Sequence, residues 1–383
     1  MFGTVAGIIL GLIILVILVV VHELGHAIAA RRNGVVVEEF GIGFPPRAWA
    51  KKLKNGILFT LNWLPLGGFV KLQGEYDSAD KKGDYGAASY GQKTKILLAG
   101  VMMNWVVAAL LFTVLAWTGL PKILPNQFSV QGDTTVVTQP VEVATVSKGS
   151  PAEQAGLKVG DQIIRFAAES VATPTNLVEK TKEKQGETVV IIYSRGGVEY
   201  TTKATLRSAN DSKQGYLGIG PSQREQIRAT WSAPIVGVAT TVHFTIVTLQ
   251  GLGDLLVNTV HGIVMQLNPD KTAREQAGQE LKAAGDSVAG PIGILGTIFP
   301  AASAAGPTQL LFLTAIISLT LAVMNILPIP ALDGGRWFVM TIFRLRKKPL
   351  TKEREEKIQG TGFMILMALV LIITVLDVAK LFK

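Results

Sequence analysis

Apolar residues in this chain gather into long unbroken runs rather than into stripes, and those runs set the architecture. Val5 to Val21 contains no charged or strongly polar side chain, and Ile96 to Leu120, Leu310 to Leu327 and Thr361 to Ala379 are apolar apart from Asn104, Asn325 and Asp377. A helix needs about 20 such residues, rising 1.5 Å each, to cross a hydrocarbon core of about 30 Å. Four transmembrane helices are therefore expected, within 1–32, 96–120, 309–335 and 360–380. Between the second and third runs the period changes. Val189 to Tyr193 and Tyr200 to Leu206 read as strands, so 125–221 is expected to be an inserted α+β domain. Phe40 to Pro46 and Ile57 to Val70 are short apolar runs punctuated by Gly and Pro, which predicts a β-hairpin inside the loop 33–95.

Two stretches fit neither pattern. Residues 233–264 are apolar but broken by His243, Gln250, Asp254, Asn258 and His261. Asn268 to Ser287 is charged and helix-prone, and with the glycine-punctuated Gly290-Pro291-Ile292-Gly293-Ile294 it makes 265–308 an insert and linker. Charge then orients the chain. Arg31, Arg32, Lys51, Lys52, Lys54, Lys71, Lys81, Lys82 and Lys93 lie between the first two runs, and eight Lys or Arg residues from Arg336 to Lys357 fill 336–358 between the last two. An excess of this kind marks the cytoplasmic side. Both termini and the inserted domain are then extracytoplasmic. A full crossing by 233–264 would reverse the third span, so 230–264 is expected to lie along the outer surface as an amphipathic or re-entrant helix.

Composition narrows the class further. Of 383 residues 48% are hydrophobic and the net charge is +9, with the basic residues set beside the apolar runs. A lipid bilayer is the partner this implies; nucleic acid is not. The chain has no cysteine, which removes disulfides and thiolate metal sites. The first run has no basic flank before it, so it reads as a retained membrane helix rather than a signal peptide.

The chemistry is concentrated in His22-Glu23-Leu24-Gly25-His26, which the first run feeds without a break. On a helix, residues four apart share a face, so both imidazoles can reach one metal. Glu23 lies roughly 100° round from His22, where it can act as general base. Zinc with an open position lowers the pKa of a bound water to about 7, which points to hydrolysis. Ionisable groups at membrane depth are costly and mark function.

A third ligand is available from the third run. It ends in Asn325-Ile326-Leu327-Pro328-Ile329-Pro330-Ala331-Leu332-Asp333-Gly334-Gly335, where two prolines break a helix that is still at bilayer depth. Asp333 then falls near the cytoplasmic end, level with His22 and His26. Two histidines and one carboxylate leave a fourth position free, as a catalytic zinc requires. The alternative for Asp333 is a cap on a following helix. Asn104, polar within the second run, reads as a hydrogen bond between helices. The hairpin could offer a strand edge to an extended peptide or could be purely structural.

Two resemblances follow from these residues. Ser150-Pro151-Ala152, Ala155-Gly156-Leu157 and Gly160-Asp161 followed by Ile163 resemble a PDZ domain. Together with the His22 to His26 motif and the Asn325 to Gly334 run, nearly the whole chain resembles the bacterial site-2 proteases, the regulator-of-sigma-E protease group. That resemblance implies a zinc intramembrane endopeptidase, with one zinc per chain, in the bacterial inner membrane. Its substrate would be a single-pass transmembrane protein such as an anti-sigma factor already cut by a first protease. It also implies His22, His26 and Asp333 as ligands and Glu23 as base. Asn325, Pro328 and Pro330, with Gly67, Gly68 and Phe69 of a membrane re-entrant β-loop, would hold the substrate.

The chain departs from the family twice. Ala99-Gly100-Val101-Met102-Met103-Asn104 has valine where the family has proline, which implies a straighter second helix, and one PDZ-like module stands where better-studied relatives carry two. A PDZ scaffold with a vestigial metal site would have no use for Glu23. A zinc transporter would spread ionisable residues along several helices, whereas here they gather at one depth.

Overall fold

In the computed structural model, residues 2–209 and 215–381 are described; residues 210–214, at the end of the segment read as PDZ-like, lie outside them. The elements are α1 (Phe2–Arg32), β1 (Val37–Lys52), β2 (Leu58–Leu72), α2 (Tyr90–Thr118), β3 (Leu120–Pro121), β4 (Thr135–Thr138), β5 (Val141–Val146), α3 (Pro151–Gln154), β6 (Gln162–Phe166), β7 (Glu169–Ser170), α4 (Pro174–Glu183), β8 (Thr188–Arg195), β9 (Val198–Thr205), β10 (Ile219–Ser222), β11 (Glu225–Arg228), α5 (Ala233–Met265) and α6 (Lys271–Ser287). Then α7 (Pro291–Gly293) runs through a π-helical turn (Ile294–Ile298) into α8 (Phe299–Ala304), followed by α9 (Pro307–Ile326), α10 (Asp333–Leu345) and α11 (Lys352–Leu381). Contacts divide the chain into a helical unit, 1–115 with 233–383, and an inserted unit, 116–232.

Among the described residues five helices are long and apolar enough to cross a membrane, one more than expected. Four are α1, α2, α9 and α11, each built on one of the predicted runs. The fifth is α5, which the sequence reading laid along the outer surface as an amphipathic or re-entrant helix. Its first half packs beside α2. Gly237 lies against Thr113, Phe244 stacks on Phe112 at 5.4 Å, and Trp105 donates to Thr245. A helix lying flat on the surface would not meet α2 over two turns. The second half pairs instead with α6, where His261 meets Glu280 at 3.0 Å. Lys271, Arg274, Glu275, Glu280 and Lys282 keep α6 out of hydrocarbon.

The hairpin forms as expected but folds into four lanes. Residues 37–42 of β1 pair with 68–72 on one side, 39–42 pair with 58–61 on the other, and 47–52 pair with 58–62. The lane 68–72 is thereby left at an edge. The far end of the sheet exposes Phe44, Trp49, Leu61, Trp63 and Leu64, an apolar tip suited to lipid. The opposite end is tied down by a core of Ala27, Ala30, Val35, Val37, Leu72, Tyr85, Ile96, Leu97 and Met340, which joins α1, β1, β2, α2 and α10. The helix α2 continues without interruption through Val101, as the missing proline implied.

The inserted unit has its own core, built on Val141, Ile163, Phe166, Leu177, Ile191 and Leu217. Its main sheet has the order β10-β5-β6-β8-β9, and β3-β11-β4 form a second. As the sequence predicts, Ser150 caps α3, its hydroxyl accepting from the Glu153 N–H, with Pro151 in the first turn. The helix α4 and the free edge of β10 enclose a groove of about 370 Å³, the layout of a PDZ-like module.

Candidate metal centre

His22 and His26 lie one turn apart on α1, and both are buried. Their Nε2 atoms are 3.2 Å apart, and Asp333 Oδ2 lies 3.0 Å from Nε2 of His22 and 3.3 Å from Nε2 of His26. One ligand atom from each residue thus falls within 4.8 Å of the others. Asp333 reaches this point because of the broken segment before it. The helix α9 stops at Ile326, Leu327 turns to extended backbone, and α10 begins at Asp333. Gly334 and Gly335 let the first turn of α10 lie on the chain just left behind. A Cβ at Gly334 would be 2.1 Å from the Ile326 carbonyl oxygen, and one at Gly335 would be 1.9 Å from that of Ile329. No side chain fits there, and Asp333 is therefore presented to α1 rather than to solvent.

The surroundings suit a metal ion. Three acceptor atoms facing one another repel unless a cation or proton intervenes. Space for a cation comes from Gly100 on α2, where a Cβ would lie 2.4 Å from Nε2 of His26 and 2.7 Å from Nε2 of His22. Gly25 on α1 allows the two helices to approach, since a Cβ there would meet the Ala99 carbonyl oxygen at 2.5 Å. His26 Nδ1 donates to the Ile96 carbonyl at 2.8 Å, which leaves Nε2 free to take a metal. The residues present fit zinc, with three protein ligands and room for a fourth position.

Glu23 points to the sheet. Its Cγ is the neighbour a Cβ at Gly68 would meet at 3.3 Å, and its carboxylate takes a hydrogen bond from the Val70 backbone. The edge lane 68–72 therefore runs past the would-be base. Of the other predicted substrate residues, Gly67 sits at φ +111 under the Phe44 ring, while Phe69 folds its own ring over Gly41. Asn325 is not among the clustered ligands: its Nδ2 donates to the Leu321 carbonyl one turn back. Pro330 packs on Gly362 of α11, and Pro328 is exposed.

With this geometry in place, likeness to known proteins can be stated. Residues 10–369 match the sequence profile of peptidase family M50. The chain belongs to peptidase family M50. A Clostridium perfringens protein named as a zinc metalloprotease is 30% identical over 94% of this chain and 95% of its own length. The zinc metalloprotease RasP of Geobacillus kaustophilus is 26% identical over the full length of both, and the regulator of sigma-W protease RasP of Bacillus subtilis is 25% identical over 95% of this chain and 96% of its own. A solved PDZ domain of an SdrC-like protein from Listeria monocytogenes is 26% identical over 24% of this chain and 93% of its own length, with a TM-score of 0.20. This M50 chain is thus a membrane-embedded zinc metalloprotease.

Sequence reading missed Gly100, which it quoted only as part of a helix pattern. The available signal was its spacing: Ile96, Gly100 and Asn104 recur every four residues, so one face of α2 meets the face of α1 that carries His22 and His26.

Proposed function

We propose that this protease hydrolyses a peptide bond within the transmembrane helix of a single-pass membrane protein, an anti-sigma factor trimmed by an earlier protease being the kind of substrate in view. One observation carries the reading. The candidate zinc ligands lie among apolar helices with Glu23 between them and the edge lane 68–72. His22, His26 and Asp333 would hold zinc, which when bound supplies Lewis acidity toward water and the scissile carbonyl. A helical substrate hides its carbonyls in its own hydrogen bonds, so it must unwind before attack. The backbone of Gly68 and Val70 offers that unwound stretch a strand partner. Glu23 takes the proton from the attacking water at its carboxylate and passes it to the leaving nitrogen. The substrate roles of Asn325, Pro328, Pro330, Gly67 and Phe69 rest on the resemblance, with Gly67 and Phe69 shaping the lane around Gly68.

The basic loops support a site near the cytoplasmic face of the bacterial inner membrane, with the termini and inserted unit outside. With α6 charged and returning along α5, α5 is read as re-entrant rather than crossing, which leaves four spans.

The test is cleavage of a tagged single-pass helix in cells and in detergent. Wild type should cut within the helix; Glu23→Gln should slow it roughly 100- to 10,000-fold with zinc content unchanged, and a chelator should stop it until zinc is restored. Spheroplasts of the same cells should lose the inserted unit to added protease. Cutting outside the helix, or undiminished cutting by Glu23→Gln, would overturn the catalytic reading, and a protected inserted unit would overturn the orientation.

A further inference from the structure

Asn104 lies on α2 one turn after Gly100, 1% exposed, with its side chain toward His22. Two features of that contact conflict as they stand. The amide nitrogen, which can only donate, faces His22 Nδ1 at 3.4 Å, while the amide oxygen is buried with no partner among the described residues. His22 turns Nε2 toward Asp333 and His26, so a metal held there leaves the proton of the neutral imidazole on Nδ1. Nδ1–H then faces a donor, and a buried acceptor beside it goes unused. A half-turn of the amide exchanges its two nearly isosteric ends and removes both faults at once. Nδ1–H then donates to Oδ1, and the buried oxygen is satisfied.

The partner histidine shows the same device in another form, since its Nδ1 already donates to the Ile96 carbonyl. Ile96 and Asn104 are eight positions apart on α2, two turns, while His26 and His22 are one turn apart on α1. A backbone carbonyl serves the nearer ring, and a side chain reaches the farther one. Asn104 is also anchored from a third helix: the buried Ser318 hydroxyl of α9 donates to the Asn104 carbonyl at 2.8 Å. The helix that leads to Asp333 thus holds the turn that would orient His22.

We propose that Asn104 is a positioning residue for the metal site: its side-chain oxygen accepts from Nδ1–H of His22, fixing the tautomer and ring direction that present Nε2 to zinc. This rests on the reading of His22 as a zinc ligand. An acceptor on the outer nitrogen of a ligating histidine sharpens affinity typically 10- to 100-fold, and a role in helix packing alone would not.

The test is zinc affinity of the detergent-purified full chain, measured by competition with a chromophoric chelator, beside the melting temperature of the zinc-free protein. His22→Ala is the reference for the ligand reading, and wild-type binding must exceed it for that reading to stand. Given that, Asn104→Leu, which fills the space without an acceptor, should bind zinc roughly 10- to 100-fold more weakly. Asn104→Asp, which can only accept, should bind within about threefold of wild type or more tightly. Ser318→Ala removes the contact between helices but not the acceptor, and should shift the melting temperature more than the affinity. Wild-type affinity in Asn104→Leu overturns the proposal, as does Asn104→Asp binding as weakly as Asn104→Leu. Equal zinc binding by wild type and His22→Ala overturns instead the ligand assignment beneath it.

Discussion

The helical and inserted units each bury polar groups, but on opposite terms. In the inserted unit Asp161, 1% exposed, takes two hydrogen bonds from Arg195, at 2.6 and 2.7 Å, and a third from the Lys158 N–H. Arg195 also donates to the Gly156 carbonyl. The Arg195 contacts join strand to loop, and the pair is complete without any ligand. In the helical unit two imidazole nitrogens and a carboxylate oxygen converge as acceptors around a space kept open by Gly100. Such an arrangement costs stability unless something positive completes it. Buried polarity that satisfies itself makes structure, and buried polarity left incomplete makes a site.

That contrast can be broken most sharply at Gly100. Gly100→Ala puts a methyl where the ligand nitrogens converge, and zinc affinity and cleavage should both fall by at least roughly tenfold. Hydrogen exchange of the inserted unit should not change; wild-type zinc affinity in Gly100→Ala would show that the space is not where the metal sits.

A smaller effect is expected at Asp161. Asp161→Ala removes three charge-assisted bonds, but Arg195, 35% exposed, can rehydrate, so the inserted unit should lose about 2 kcal/mol rather than the full cost of a stranded charge. Hydrogen exchange localised to 116–232 would read this, with zinc content unmoved. Loss of zinc in this variant would mean that the two units are not energetically separate.

The smallest effect is one of pH. The hydroxyls of Ser232 and Thr230, with their backbone N–H groups, bond the half-buried Asp133 carboxylate and hold it down at about 2. A group depressed on folding contributes fully above its ordinary value near 3.9 and loses that contribution as pH falls toward the folded value. Protection of the segment around Asp133 should therefore weaken between about pH 4 and pH 2, and Asp133→Asn should flatten that dependence. An unchanged slope in Asp133→Asn would assign the acid sensitivity to another group.

Most of the architecture was legible because membrane helices satisfy their own backbone and need only length and apolarity, both written in the chain. The motif at His22 to His26 was legible for a related reason: four residues make one turn, so sequence spacing is spatial spacing. The helix α5 was less legible. Its polar breaks suggested a surface helix, but the structure pairs His261 with Glu280 of α6 and packs the earlier turns on α2, a tertiary arrangement that periodicity cannot express. Gly100 was hidden for the same cause, since a glycine that leaves room looks ordinary in its own segment, while Asn104 stood out as polar without its partner being readable.

By itself, then, the sequence determined the four strongest spans, the inserted α+β domain, the hairpin and the identities of the zinc-ligating candidates, all properties of local spacing or composition. Only the tertiary structure decided that Asp333 reaches α1 because Gly334 and Gly335 let α10 fold back, that strand lane 68–72 passes Glu23, and that α2 supplies the space beside the histidines. Those facts depend on which faces of distant segments meet, and distance along the chain carries no record of that.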